Sequence, residues 1–101
     1  MTILVSYDIQ NDRLRKKVAD WLIYKGYTRV QKSVFILSTN KSYVINIKEK
    51  LRTKWSQKIS KTDKIICVNI SNNSLKHANF IGGYDDEALE FIFNPPKVII
   101  Y

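Results

Sequence analysis

Few side chains in this sequence are placed to do chemistry. The apolar run Ile3-Leu4-Val5 continues through Ser6-Tyr7 to Asp8, and Asp12 follows shortly after. A carboxylate just past an extended run can carry catalysis, although an aspartate there more commonly closes a turn or caps a helix; Asp12 is expected to be such a cap. His77 is the one histidine, so no Ser-His-Asp set is apparent, and no glycine-rich phosphate loop occurs. Cys67 is the one cysteine and lies within Ile65-Ile66-Cys67-Val68. It can form neither an intrachain disulfide nor a Cys-based zinc site, and it reads as a small core hydrophobe in a reducing, cytoplasmic setting. The strongest chemical signal is charge. Seventeen Lys and Arg against nine Asp and Glu give +8 over 101 residues, an excess that favours a polyanionic partner. Thirteen of the cations are lysine in a chain rich in Ile and Asn, which codon bias toward A and T also produces.

The elements that must position these residues can be read from periodicity. Ile3 to Tyr7 is a strand, and the polar Gln10-Asn11-Asp12 opens a helix. Leu14, Val18, Trp21 and Leu22 then form one helical face up to Gly26, which suits a helix C-terminus, with Ile23 on the opposite side as a candidate partner contact. Thr28 to Leu37 is extended and is expected to divide into two short strands around a bend. Val44, Ile47, Leu51 and Trp55 mark a second helix from about Ser42 to Trp55. Its surroundings are basic: eight cations between Lys41 and Lys64 stand against Glu49 and Asp63, the expected electrostatic footprint. Lys64 to Ile70 is apolar enough to predict a central strand, and Ser71-Asn72-Asn73-Ser74 a turn. Ala78 to Ile81 is expected to be a short edge strand before Gly82-Gly83, Asp85 to Glu90 a helical turn, and Val98 to Tyr101 a final extended piece after Pro95-Pro96.

The resulting order, β-α-β-β-α-β with C-terminal additions, is the α+β ferredoxin-like arrangement: one domain over residues 1–101, with 84–101 an extension involved in dimer packing. One sheet face lacks a helix to cover it. A homodimer that stacks two sheets or exchanges tails would bury that face, with Val98 to Tyr101 on the partner's sheet. The N-terminus has neither a basic leader nor an apolar stretch long enough to cross a membrane, so the mature protein is expected to begin at Met1, with no membrane partner.

Tyr7-Asp8-Ile9, then Asp12, Arg15 and Val18, then Gly26-Tyr27 and the stretch from Arg29 to Phe35 resemble, in register, the small CRISPR-associated protein of the spacer-acquisition machinery, the Cas-two family. The resemblance covers roughly the first third of the chain. It implies a ferredoxin-like fold, a symmetric homodimer, metal-dependent endonuclease activity on RNA or double-stranded DNA, and assembly with the CRISPR-associated integrase. By that resemblance the metal-binding aspartate falls on Asp8, with Tyr7 as its catalytic neighbour. The nucleic-acid-binding positions fall on Arg15, Lys17 and Arg29, and the Ser-Val-Phe element on Ser33, Val34 and Phe35. Lys17 replaces an arginine of some relatives and so cannot make a bidentate phosphate contact. Ile36-Leu37 stands where an acidic residue and a glycine often follow the Phe.

Phosphodiester hydrolysis needs an activated water and charge stabilisation at the phosphate, which Mg²⁺, or Mn²⁺ in its place, supplies. One carboxylate per subunit makes a weak site, and a two-fold axis near the end of the first strand would pair Asp8 with its mate. Two other functions fit the same residues: a non-catalytic basic dimer that supports DNA and bridges integrase dimers, and a ferredoxin-like toxin ribonuclease acting alone.

Overall fold

The computed structural model describes residues 1–94. Its elements are β1 (Thr2–Asp8), α1 (Asp12–Tyr24), β2 (Thr28–Gln31), β3 (Val34–Ser38), a 3₁₀ turn (Lys41–Tyr43), α2 (Val44–Trp55), β4 (Lys64–Ile70), α3 (Asn72–Lys76) and α4 (Asp86–Phe93). The strands form one sheet in the order β2-β3-β1-β4, with each neighbouring pair antiparallel. This is the ferredoxin-like topology expected from the element order.

Alternation along β1 explains the layering. Ile3, Val5 and Tyr7 are buried and point to the side where α1 and α2 pack, and they join Val18, Leu22, Phe35, Ile47, Leu51 and Trp55 in the main core. Trp21 and Trp55 meet edge to face at 5.8 Å, linking α1 to α2. Asn11, not Asp12, caps α1: its side chain accepts from the Leu14 amide at 2.9 Å, which leaves Asp12 in the first turn. At the other end Gly26 adopts φ 96°, as a left-handed terminator should. Arg29 stays opposite Phe35 and Val30 alternates to the other sheet face, while the register shift between Arg29 and Gln31 sets Gln31 opposite Val34 on the same face as Val30.

Three further expectations are corrected. β4 is an edge strand that pairs with β1 alone among the described strands. Its apolar run suggested burial on both faces, yet Ile66 and Val68 are 57% and 44% exposed on the face away from α1 and α2. The Ser71 cluster does not simply turn: the Ser71 hydroxyl caps α3 through the Ser74 amide at 3.0 Å. Ala78 to Ile81 is not a strand. Phe80 instead packs edge to face on Tyr84 and Phe93, a role that needs no ladder.

The second sheet face is covered in part by the chain itself. Ile36, Leu75 and Ile92 form a smaller core there, joined by Leu4, Val30, Ile70, Phe80 and Tyr84, and Gln31 donates to the Tyr84 hydroxyl at 3.2 Å. The expected tail from Val98 to Tyr101 lies outside the described residues, and no described helix is long and apolar enough to cross a membrane. Phe35 is fully buried and Ile81 is 90% exposed. Chemical denaturation should therefore show Phe35→Ala losing about 3–5 kcal/mol, with Ile81→Ala within about 0.5 kcal/mol of wild type.

Candidate active site

Asp8 ends β1 on the exposed side of the pleat, with Lys64 of β4 as its register partner. Its carboxylate has no hydrogen-bond or ion-pair partner among the described residues. It opens onto a shallow cavity of about 580 Å³ whose walls include Tyr7, Arg15, Lys16, Arg29, Lys32 and Ser33. Asp12 and Asp20 also line it, but each is already neutralised: Asp12 by Arg15, and Asp20 by Lys16 at 2.8 Å. Asp8 is the free carboxylate in a basic hollow.

The cavity wall is built by one carbonyl. Lys32 O accepts from the Tyr7 hydroxyl at 3.2 Å and from Arg29 Nε and Nη2 at 3.2 and 2.6 Å, while the Tyr7 amide donates to Ser33 O at 3.1 Å. These bonds pin the β2–β3 turn to the end of β1. Tyr7 also stacks on Phe35 at 6.0 Å, and the Arg29 guanidinium covers the other aromatic neighbour, lying 5.2 Å from the Phe35 centroid. Burial raises the Tyr7 hydroxyl above its ordinary pKa, with Arg29 and Arg15 partly offsetting the rise, so it remains a protonated donor. Tyr7 and Arg29 both hold the site in shape. Arg15 does the same for the loop after Asp8, giving Nη1 to Ile9 O at 3.0 Å.

Asp63 was not singled out by its residue type, yet it secures this loop from the far side. It accepts from the amides of Ser60 and Gln10, each at 3.0 Å. Those backbone donors, Ser60 foremost, hold its carboxyl below the usual range. The turn composition Ser60-Lys61-Thr62-Asp63 was the available signal. Lys16 and Lys32 join the cavity wall without having been expected there.

Not every expected residue converges. Lys17 points to the other flank of α1, where it faces Lys54 and Lys58. Val34 lines the apolar hollow of the second sheet face, and Phe35 is in the core. Cys67 is half-buried, and burial raises its thiol pKa, which favours the unreactive protonated form. A hard divalent cation is commonly held by one or two carboxylates plus waters and phosphate oxygens. The free Asp8 fits one such position, and no described group of three or more His, Cys, Asp or Glu offers a fuller set.

Two measurements check this construction. Arg29→Ala removes two donors to Lys32 O; unfolding should show a loss of about 1–3 kcal/mol, with faster amide exchange around residues 31–33. Because folding lowers the Asp63 pKa, its ionised form stabilises the fold above the ordinary carboxylate range, and that gain is lost as pH falls through the folded value. Wild type should exceed Asp63→Asn in stability at neutral pH, and the gap should narrow progressively below about pH 4.

Comparison with known proteins gives this geometry a family. The profile of the family described as CRISPR associated protein Cas2 matches residues 1–78. The chain is 38% identical over 81 residues to the CRISPR-associated endoribonuclease Cas2 of Aeropyrum pernix, covering 80% of this chain and 85% of that one. It is also 38% identical over 82 residues to the CRISPR-associated endoribonuclease Cas2 of Korarchaeum cryptofilum, covering 81% and 85%. A crystal structure of Streptococcus pyogenes Cas2 is similar at a TM-score of 0.60 and 32% identity, over 81% of this chain and 100% of that one. α4 lies beyond the matched residues. With the profile spanning the whole sheet and both long helices, the chain belongs to the Cas2 family of CRISPR-associated proteins.

Proposed function

We propose that this protein is a CRISPR-associated endonuclease that hydrolyses phosphodiester bonds, with Asp8 as its metal-binding carboxylate. The observation that carries the reading is the exposed Asp8 at the end of β1, unpaired in a cavity whose other acids are already bound by cations. The relatives named as endoribonucleases support RNA as the substrate, with double-stranded DNA as the second candidate. Asp8 would hold Mg²⁺ or Mn²⁺, which when bound would supply Lewis-acid charge at the phosphate and activation of a water at neutral pH.

The chain's own residues do the rest. Lys32, which has no ion-pair partner among the described residues, lends the cavity positive potential that draws a phosphate backbone toward Asp8. Arg15, Arg29 and Tyr7 act as positioning residues, because their polar atoms are committed to Asp12 and to the carbonyls of Ile9 and Lys32. In a homodimer, Asp8 of a second copy supplies the second carboxylate that a single chain lacks. Family membership supports a setting in spacer acquisition, beside the CRISPR-associated integrase.

A second reading is a non-catalytic scaffold that holds DNA between integrase subunits. That one free carboxylate lines this cavity in each chain favours it. One comparison separates the two: cleavage of labelled RNA and duplex DNA, with Mg²⁺, Mn²⁺ or EDTA, by wild type and Asp8→Asn. The nuclease reading expects metal-dependent cutting that falls about a hundredfold or more in the variant, with stability within about 0.5 kcal/mol because Asp8 is exposed and unpaired. Equal cutting by both proteins, or none by either, leaves the scaffold.

A further inference from the structure

β4 pairs with β1 alone among the described strands, so no described strand lies past it to cover the flank of α2. A hollow of about 330 Å³ is left there, at the small end of the roughly 300–1,000 Å³ typical of ligand pockets. Its floor is apolar. Ile65 and Cys67, two residues apart on β4, share the face toward the main core, and Leu51 and Ile59 complete the floor. Ile59, Ile65 and Cys67 are only half-buried, which leaves this margin of the core open to solvent.

Cations line this hollow and acids do not. Lys48 and Arg52, one turn apart on α2, are both exposed at it. Neither forms an ion pair among the described residues. The Lys48 ammonium offsets part of the rise that burial gives the Cys67 thiol pKa, which ties the charge to the apolar floor. Trp55 forms a further wall. It is buried, and its indole Nε1 is the one buried side-chain polar atom among the described residues with no hydrogen-bond partner. A buried donor without an acceptor is costly, so the wall itself lacks an oxygen.

We propose that the hollow between α2 and β4 binds a small amphipathic carboxylate, with its head on Lys48 and Arg52 and its apolar body on the floor around Ile65 and Cys67. The planar guanidinium fork of Arg52 matches a carboxylate, and the neighbouring ammonium adds charge. An inorganic anion or a phosphodiester backbone would meet the cations and leave the apolar floor wet. An uncharged apolar molecule would cover the floor and leave the cations unmet. The two halves together select the ligand class. No residue of this hollow lines the Asp8 cavity, and the proposal does not depend on the nuclease reading.

The probe is decanoate, followed by isothermal titration calorimetry and by alkylation of Cys67 with iodoacetamide at about pH 9, where the reactive thiolate forms. Cys67 is the one cysteine in the chain, so its protection reads this hollow. Wild type should bind, and decanoate at about ten times its Kd should slow alkylation about tenfold. Acetate, a head without a body, and decanol, a body without a head, should each bind at least about tenfold more weakly. The double variant Lys48→Gln, Arg52→Gln should lose about tenfold or more in affinity for decanoate. Ile81→Ser, which alters the apolar hollow of the second sheet face, should keep the wild-type affinity. All three substituted residues are exposed, so native circular dichroism is expected of both variants. A wild type that does not bind, binding that leaves Cys67 unprotected, an affinity unchanged in the double variant, or equal binding of decanol overturns the proposal. So does alkylation that slows as protein concentration rises without decanoate, since a second copy of the chain then fills the hollow.

Discussion

The Lys32 carbonyl is the point on which the site depends. Three donor atoms from two side chains converge on it, one from Tyr7 and two from Arg29. A charged donor to a carbonyl contributes about 1.5–3 kcal/mol, and a neutral one about half that. This is enough to hold an exposed turn that few other contacts secure. The turn in turn closes one wall of the cavity onto which Asp8 opens. Residues that a motif reading assigns to phosphate are thereby committed to the backbone, and the aspartate is left to face the solvent alone.

The same division runs through the charges of α1. Arg15 and Lys16 turn toward Asp8 and are paired with Asp12 and Asp20. Lys17 turns toward α2 and forms no ion pair among the described residues. Adjacent positions on a helix are separated by roughly 100° of rotation, so one basic stretch supplies two faces of different electrostatic character. Net charge alone could not distinguish them, since pairing, not residue type, decides how much positive potential each face presents.

Much of this was legible in the sequence. The apolar periods of β1, α1 and α2, the bend between β2 and β3, and the terminating Gly26 each follow a local rule. The element order then leaves one sheet topology. What escaped depends on partners distant in sequence. The run Ile65 to Val68 reads as central because its composition does not say that a neighbouring strand is missing on one side. Asn11 and Asp12 are equally good caps by type, and only the backbone path chooses Asn11. Within the site, Asp8 and Tyr7 were identified but the Tyr7 bond was not, because its acceptor is a backbone oxygen and every residue has one. Asp63 was missed because its value lies in two amides, one of them more than fifty positions away. The partial cover over the second sheet face escaped for the same reason: Leu75 and Ile92 meet Ile36 only after the chain has returned across the sheet.

The order in which the sheet is made has a consequence for synthesis. β1 leaves the ribosome before the other strands of the sheet, yet one of its edges is closed by β4, with Thr2 opposite Ile70 and Asp8 opposite Lys64. Through most of translation the strand can pair with β3 alone, and its other edge stays open. A nascent or truncated chain that stops before Ile70 therefore carries an apolar strand with unpaired amides and carbonyls, a template for aggregation. The residue at the centre of the proposed chemistry occupies the first strand to be made and one of the last to be enclosed.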